Sequence, residues 1–123
     1  MSTEMTPRQV AIVEDEGMVA ALLEDLLADL GHEVVAIVGR MDRASRLVSE
    51  TSADVVLLDV NLNGEQTYSL ASTLVSRGIP FIFATGYGST GLKQEWRETP
   101  VLQKPFQARD LERALSRALD KVA

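Results

Sequence analysis

The sequence contains no cysteine among its 123 residues. This absence excludes a disulfide framework and a metal site built from thiolates, and it is compatible with a reducing cytosol, so we expect a cytoplasmic protein. Residues 1–8 contain no apolar segment of the kind found in signal peptides. No run approaches the roughly 18 apolar residues that a membrane-spanning helix needs. We therefore expect neither export nor a membrane partner.

An excess of positive charge is also missing. Twelve lysines and arginines stand against eighteen aspartates and glutamates, which gives a formal net charge of −6. The basic residues are scattered among acidic ones, so no segment is suited to the phosphates of a nucleic acid. We therefore expect no direct nucleic-acid binding, and we attribute most of the acidity to solubility.

The length suits one domain, which we place at residues 9–123 behind a flexible N-terminal tail of residues 1–8. Five short runs rich in β-branched residues predict strands, and their continuous rather than alternating apolarity indicates burial on both faces. The predicted strands are Val10–Val13, Val34–Val38, Val55–Leu58, Phe81–Ala84 and Val101–Leu102.

Helical patterns separate these strands. Apolar residues at steps of three and one predict a helix over about Gly17–Leu30 that ends at Gly31, and the same spacing over Leu111–Val122 predicts the last helix. Weaker patterns predict a helix from an N-cap at Asp42 to about Thr51, one from about Gln66 to Arg77, and a short one around Leu92–Arg97. The alternation of strand and helix predicts an α/β fold whose parallel sheet is covered on both faces.

Charged side chains lie at the carboxyl ends of three of the predicted strands. Glu14 and Asp15 follow the first strand, Asp59 the third and Lys104 the fifth. Because the carboxyl ends of parallel strands meet at one edge of a sheet, we expect these side chains to converge there. Clustered carboxylates need a counter-charge, so the set predicts a divalent cation beside one ammonium group. Taken alone, the acids could merely complement a helix dipole, and the lysine could be solvated surface.

Magnesium suits this donor set because Mg²⁺ prefers oxygen ligands and usually retains several waters. We expect Asp15 and Asp59 to bind the ion directly and Glu14 to act through water. The backbone carbonyl of Asn61, just beyond Asp59, is the expected third protein ligand.

Asp59 is the expected phosphate acceptor, because a carboxylate in line with a phosphoryl donor can form an acyl phosphate. The cation would screen the charge on the transferring oxygens. Lys104 offers a compact point charge for one phosphoryl oxygen. Thr85 offers a hydroxyl at the end of the fourth strand, and Gly86 leaves the backbone after it free to rearrange. By itself, however, Thr85 is also an ordinary strand residue.

Three further features carry less weight. The segment Gly86–Gly91 matches the dinucleotide fingerprint G-x-G-x-x-G. It does not lie in the first strand-to-helix turn and the next strand does not end in an acid, so we reject nucleotide binding and expect a flexible loop. His32, the only histidine, is expected at the surface of a turn. Trp96, the only tryptophan, could belong to the core or contact a partner.

The set Glu14-Asp15, Asp59, Thr85 and Lys104-Pro105 resembles the receiver domain of two-component response regulators, over nearly the whole chain. The segment 59–65 is similar to the phosphorylation loop of that family, with Gly64 at its turn. The resemblance implies a flavodoxin-like (βα)5 fold, a three-layer sandwich with five parallel strands in the order 2-1-3-4-5. It also implies Mg²⁺ dependence and phosphorylation of Asp59 by a sensor histidine kinase.

The segment from Pro80 to Tyr87 resembles the signature of the FAT GUY subgroup of single-domain receivers, which is associated with alphaproteobacterial stress and kinase signalling. Two residues depart from ordinary receivers. Gly86 replaces the alanine or serine after the switch threonine, and Val101 replaces the usual aromatic residue. Because valine has no ring to swing inward, we expect the loop Gly86–Gly91 and the short helix after it to carry any conformational change.

The sequence thus predicts a stand-alone receiver that is a phosphoacceptor signalling protein rather than an enzyme, with only self-catalysed phosphoryl transfer and dephosphorylation. Its expected partners are a sensor histidine kinase and either a phosphotransferase or a downstream regulator. It could also simply drain phosphate from a shared kinase. Two alternatives remain open. An aspartyl-phosphate phosphatase would need a second acid where Asn61 stands, and a phosphate-independent receiver-like module would not need the intact acidic set.

Overall fold

The computed structural model describes residues 6–86 and 91–120, in which strands and helices alternate. The strands are β1 (Gln9–Val13), β2 (Glu33–Val38), β3 (Val55–Asp59), β4 (Asn61–Leu62), β5 (Glu65–Gln66), β6 (Phe81–Thr85) and β7 (Val101–Gln103). The α-helices are α1 (Gly17–Asp29), α2 (Met41–Glu50), α3 (Tyr68–Arg77) and α4 (Ala108–Asp120). A short 3₁₀-helix covers Gln94–Trp96.

Five of the strands form one parallel sheet in the order β2-β1-β3-β6-β7. Numbered among these five strands alone, the order is 2-1-3-4-5, so the predicted flavodoxin-like fold is confirmed. Val13 at the end of β1 pairs with Leu58 of β3, and Asp59 pairs with Ala84 of β6. The carboxyl ends of these three central strands therefore lie side by side at one edge.

Helices cover both faces of the sheet. Leu57 and Leu58 of β3 point to opposite faces because side chains alternate along a strand. Leu58 belongs to an apolar cluster with α2 and with Leu74 of α3, whereas Leu57 belongs to a second cluster with Leu23 of α1 and Leu115 of α4. Full burial of each leucine contributes about 1.5–3 kcal/mol. These two clusters hold the three layers together and fix the strand ends.

Strand β2 is not buried on both faces, so the prediction of two buried faces is wrong for this strand. It lies at an edge of the sheet, beside β1. Val35 and Ile37 are 43% and 42% exposed. A register shift between the pairs formed by Val10 and Ala11 interrupts the β1–β2 ladder beside Val35. An apolar run in a sequence does not show whether its strand will have a neighbour on each side.

Helix α2 begins two residues earlier than predicted, and Asp42 is not its N-cap. Arg40 is the N-cap, and Asp42 lies in the first turn. The Asp42 carboxylate accepts a hydrogen bond of 2.9 Å from the N–H of Arg43 and lies 3.3 Å from Nε of Arg40. An acidic side chain in the first turn stabilises the positive end of the helix dipole without capping it.

Helix α3 begins at Tyr68 rather than near Gln66. Gln66 belongs instead to an antiparallel hairpin, in which it pairs with Asn61. The helix ends as predicted at Gly78, whose φ of +70° suits a residue without a Cβ atom. None of the described helices is both long enough and apolar enough to cross a membrane.

His32 is buried, so its predicted place on the surface of a turn is wrong. It is 6% exposed, and its Nδ1 accepts a hydrogen bond of 3.1 Å from the N–H of Arg8. Burial, and secondarily the charge of Arg8, lower the pKa of His32 below its ordinary 6.5. The partner of His32 lies 24 residues away in the sequence, which explains why the local turn pattern did not reveal it.

The predicted short helix after β6 is the 3₁₀-helix Gln94–Trp96. Trp96 is half-buried and packs against the apolar cluster of α2 and α3, so it lies at the rim of the core. Parts of three predictions lie outside the described residues: residues 1–5 of the tail, residues 87–90 of the loop, and residues 121–122 of the last helical pattern.

Candidate functional site

Three carboxylates meet at the carboxyl edge of the sheet. Glu14 and Asp15 follow β1, and Asp59 ends the neighbouring strand β3. One oxygen of each carboxylate lies within 4.8 Å of the others. Glu14 is 3% exposed and Asp59 is 6% exposed, whereas Asp15 is more open to solvent. The structure therefore brings together the three side chains that were predicted to converge.

The ammonium group of Lys104 lies among these carboxylates. Lys104 follows β7, and its N–H donates a hydrogen bond of 2.9 Å to the carbonyl of Thr85. Its Nζ is 3.0 Å from Oε1 of Glu14, 3.4 Å from Oδ2 of Asp59 and 3.7 Å from Oε1 of Glu16. Glu16 was not predicted as a site residue, although it directly follows the acidic pair in the sequence. Lys104 is thus part of the site rather than solvated surface.

Burial and charge shift two pKa values in this site. Burial first, and the charge of Glu14 second, raise the pKa of Asp59 from 3.8 to about 7, although the N–H of Asn61 and the charge of Lys104 oppose them. Burial would lower the pKa of Lys104, but its hydrogen bonds and ion pairs with Glu14 and Asp59 outweigh burial and raise that pKa. The site therefore carries more negative charge than Lys104 compensates.

A hard divalent cation fits this donor set. The three converging side chains offer carboxylate oxygens, which are the ligands that Mg²⁺ and Ca²⁺ take in proteins. Glu14 is already occupied by the N–H of Glu16 at 3.1 Å and by Lys104 at 3.0 Å, which suits an indirect role. Asp15 and Asp59 are the residues that could bind the ion directly. A bound cation would favour the charged form of Asp59 and so offset its raised pKa.

The loop after β3 positions two of the carboxylates. The N–H of Asn61 donates to Oδ1 of Asp59 at 3.1 Å, and the N–H of Asn63 donates to Oδ2 of Asp15 at 3.0 Å. The turn between them places Asn63 and Gly64 at φ values of +52° and +88°, a region that asparagine and glycine tolerate best. Gly64 therefore lies at the predicted turn. The ligand role of the Asn61 carbonyl stays a prediction.

Thr67 also supports the site, and the sequence analysis missed it. It is fully buried, and its Oγ1 donates a hydrogen bond of 2.6 Å to the backbone carbonyl of Asp59. Its N–H donates to the carbonyl of Val60 at 2.9 Å. These bonds attach the end of β3 to the start of α3. A threonine eight positions after an aspartate matches no periodic pattern, so the sequence offered no signal for it.

Thr85 is placed next to Asp59 by the pairing of β3 with β6. Asp59 pairs with Ala84, so Thr85 is one residue closer to the carboxyl edge. Thr85 is 5% exposed. The N–H of Val60 donates to the carbonyl of Ala84 at 3.0 Å, which keeps the two strand ends together. This position agrees with the predicted contact to a phosphoryl group, which stays a prediction.

A family model described as the response regulator receiver domain matches residues 10–116. The chain belongs to this family. This receiver is 29% identical over 119 residues to the transcriptional regulatory protein PdtaR of Mycobacterium tuberculosis (strain ATCC 25618 / H37Rv), a match that covers 94% of this chain and 58% of PdtaR. The chain spans about half the length of the curated relatives it matches.

Solved structures show the same fold. SdrG from Sphingomonas melonis Fr1 superposes with a TM-score of 0.83 and 39% identity, over 94% of this receiver and 99% of the SdrG chain. The receiver domain of the sensor histidine kinase PA1611 from Pseudomonas aeruginosa PAO1, with a magnesium ion coordinated in its active site cleft, superposes with a TM-score of 0.74 and 25% identity, over 94% and 99% of the two chains. The predicted family is therefore confirmed. Receiver domains generally bind Mg²⁺ at an acidic pocket, and the cluster of Glu14, Asp15 and Asp59 is an acidic pocket.

Proposed function

We propose that this receiver accepts a phosphoryl group on Asp59 from the phosphohistidine of a sensor histidine kinase. In this proposal Asp15 and Asp59 bind Mg²⁺ directly, the carbonyl of Asn61 is a third ligand, and Glu14 acts through water. The magnesium ion in the cleft of the PA1611 receiver supports this assignment. We also propose that residues 9–123 form a cytoplasmic receiver of the FAT GUY type, preceded by a short tail.

In the proposed transfer, a carboxylate oxygen of Asp59 forms a bond to phosphorus while the N–P bond to the kinase imidazole breaks. The products are an acyl phosphate on Asp59 and a free histidine on the kinase. Mg²⁺, when bound, would screen charge on the transferring oxygens. Lys104 pairs with one phosphoryl oxygen, and the hydroxyl of Thr85 donates to another. Each chain accepts one phosphoryl group and later loses it to water, so the protein is a phosphoacceptor rather than an enzyme.

The position of Lys104 carries this proposal. Its Nζ lies 3.4 Å from Oδ2 of Asp59 and 3.0 Å from Oε1 of Glu14. An ammonium group held this close to a buried carboxylate can stay paired with it when the carboxylate becomes an acyl phosphate. A lysine in solvent at the end of a strand would not support phosphoryl transfer in this way.

Phosphate incorporation from acetyl phosphate tests the proposal, with and without Mg²⁺, on a phosphate-affinity gel. Wild type should show a slower band that requires Mg²⁺, and Asp59→Asn should not, because an amide cannot form the acyl phosphate. Asp25→Asn is a matched control, since Asp25 is exposed on α1 and the substitution removes the same charge. A shifted band in Asp59→Asn, or none in wild type under any condition, would contradict the proposal.

The proposed output is contact with a phosphotransferase or a downstream regulator, on the face formed by the 3₁₀-helix Gln94–Trp96, β7 and α4. Phosphorylation can act on such a partner only if the partner contacts the two states differently. Draining phosphate from a shared kinase would need no such contact. A net charge of −6 argues against a nucleic acid as the direct partner.

The phosphatase alternative is weaker on the geometry of the loop. Asn61 stands where a second acid would be needed, and its Oδ1 accepts the N–H of Gly64 at 2.8 Å. An amide bound in a turn cannot donate a proton to a leaving group as a carboxylic acid does. No observation at the site favours repeated turnover of a small phosphate ester.

A further inference from the structure

Tyr68, the first residue of α3, connects the site to the segment after β6. Its ring stacks on Trp96, with centroids 6.1 Å apart and planes at 19°. Its hydroxyl accepts a hydrogen bond of 3.1 Å from the N–H of Lys93, and the Lys93 ammonium lies 5.0 Å from the ring centroid. One side chain therefore holds both the backbone and the aromatic ring of the segment Leu92–Trp96.

Tyr68 is also connected to the proposed phosphoacceptor, Asp59, through the adjacent residue Thr67. The preceding residue, Thr67, donates its hydroxyl to the carbonyl of Asp59 at 2.6 Å. A displacement of the Asp59 backbone must therefore move Thr67 or break this short bond. Because Thr67 and Tyr68 are consecutive, the displacement reaches the stacked ring without crossing a loop.

A second contact leads from β6 to the same ring. Phe83 meets Tyr68 edge to face at 5.7 Å and meets Trp96 edge to face at 5.8 Å. Phe83 lies two residues before Thr85 on β6. Aromatic pairs of this kind attract each other beyond the effect of their buried area, so a change in one ring contact alters the others.

We propose that Tyr68 couples phosphorylation of Asp59 to the position of the segment Leu92–Trp96. It supplies the aromatic ring that Val101 lacks, from α3 instead of from the last strand of the sheet. The phosphorylated and unphosphorylated states differ in the hydrogen bond between Lys93 and Tyr68 and in the stack on Trp96. A partner that binds this face can therefore bind one state more tightly than the other. The inference rests on the proposed phosphorylation of Asp59.

Trp96 is the only tryptophan, so the tryptophan emission of the protein reports on the surroundings of this one ring. We would measure emission and phosphate incorporation in parallel after addition of acetyl phosphate and Mg²⁺, in wild type, Tyr68→Leu, Tyr68→Phe and Phe81→Leu. Phe81→Leu is the matched control, because Phe81 also contacts the Trp96 ring, at 6.1 Å, but lies at the far end of β6 from Thr85.

Phosphorylation should change Trp96 emission in wild type and in Phe81→Leu. Tyr68→Leu should lose most of that change while incorporating phosphate as wild type does. Tyr68→Phe should lose part of it, because it keeps the stack and removes only the hydroxyl. If Tyr68→Leu does not fold, the change in Trp96 emission of Tyr68→Phe tests the inference instead.

Three outcomes would overturn the inference. Full emission changes in the Tyr68 variants would show that the coupling takes another route, with the proposed function intact. Phosphate incorporation in wild type without any change in Trp96 emission would show that phosphorylation does not reach the Trp96 ring, again with the proposed function intact. Absence of phosphate in wild type would overturn the proposed function and this inference with it.

Discussion

The ammonium nitrogen of Lys104 lies 3.0 Å from Oε1 of Glu14, closer than the 3.4 Å that separates it from Oδ2 of Asp59. Glu14 is buried, so this ion pair is shielded from solvent on one side. Glu14 thus anchors Lys104 independently of the charge on Asp59. Lys104 can remain at the site while Asp59 changes from a carboxylate to an acyl phosphate.

Removal of the Lys104 charge should destabilise the receiver when no cation is present. In Lys104→Met, the carboxylates of Glu14 and Asp59 lose their common counter-charge. We expect a loss of about 1–3 kcal/mol, between the values typical of surface and of buried ion pairs. Urea denaturation at pH 7 in a chelator measures it.

Added Mg²⁺ should reduce this loss, because the cation would replace part of the missing positive charge. Arg46→Met is the control, since Arg46 is exposed on α2 and carries the same charge. A Lys104→Met variant as stable as wild type in the chelator would show that Lys104 does not compensate the site.

Asp59→Asn should stabilise the receiver at high pH without Mg²⁺. The pKa of Asp59 is raised from 3.8 to about 7, so the native state binds more protons than the unfolded state between these values. Wild-type stability therefore falls as pH rises through this window, and the penalty is complete above about 7. We expect the variant to be more stable by about 1–3 kcal/mol at pH 8, after solvent screening, and the gain to fade toward pH 4.

Denaturation at pH 5 and pH 8, in a chelator and in Mg²⁺, checks this expectation. Mg²⁺ should shrink the gain, because the cation favours the wild-type carboxylate. A gain of equal size at both pH values would mean that the pKa of Asp59 is not raised.

Thr67→Val should lower stability by about 1–2 kcal/mol, because it leaves the carbonyl of Asp59 without its hydroxyl donor in a buried place. Valine matches threonine in shape, and Thr67→Ser keeps the hydroxyl. Urea denaturation should therefore rank wild type above Thr67→Ser and Thr67→Ser above Thr67→Val. If valine were tolerated as well as serine, the hydrogen bond would have no role in holding Asp59.

His32 should make the receiver less stable in mild acid. Its pKa is lowered below 6.5, so the unfolded state binds the proton more readily, and stability falls as pH drops below about 6.5. His32 is the only histidine, and an NMR titration of its ring should give a pKa below 6.5. His32→Asn, which can accept the Arg8 N–H but does not titrate, should lose less stability between pH 6.5 and 5. A measured pKa at or above 6.5 would contradict this.

The sequence predicted the long buried strands well because continuous apolar runs determine them locally. Glu14, Asp59 and Lys104 could be placed at one edge for the same reason, since each lies at the end of such a run. The hairpin Asn61–Gln66 could not be predicted, because strands of two residues are too short to show a periodic pattern of apolar residues. The start of α3 was misplaced as a result.

The remaining misses depend on contacts between distant segments. The exposure of Val35 and Ile37 follows from the place of β2 at the sheet edge, which its own residues do not encode. The burial of His32 depends on Arg8, and the roles of Thr67 and Tyr68 depend on backbone groups of Asp59 and Lys93. Such pairs become visible only once the chain is folded.

The central claim is that Asp59 carries the phosphoryl group, and mapping the modified residue tests it most directly. The receiver would be incubated with acetyl phosphate and Mg²⁺, the acyl phosphate reduced with borohydride, and the peptides sequenced by mass spectrometry. The account predicts one modified residue per chain, Asp59, with Glu14 and Asp15 unmodified. Modification at another residue, or none under conditions that phosphorylate a known receiver, would contradict it.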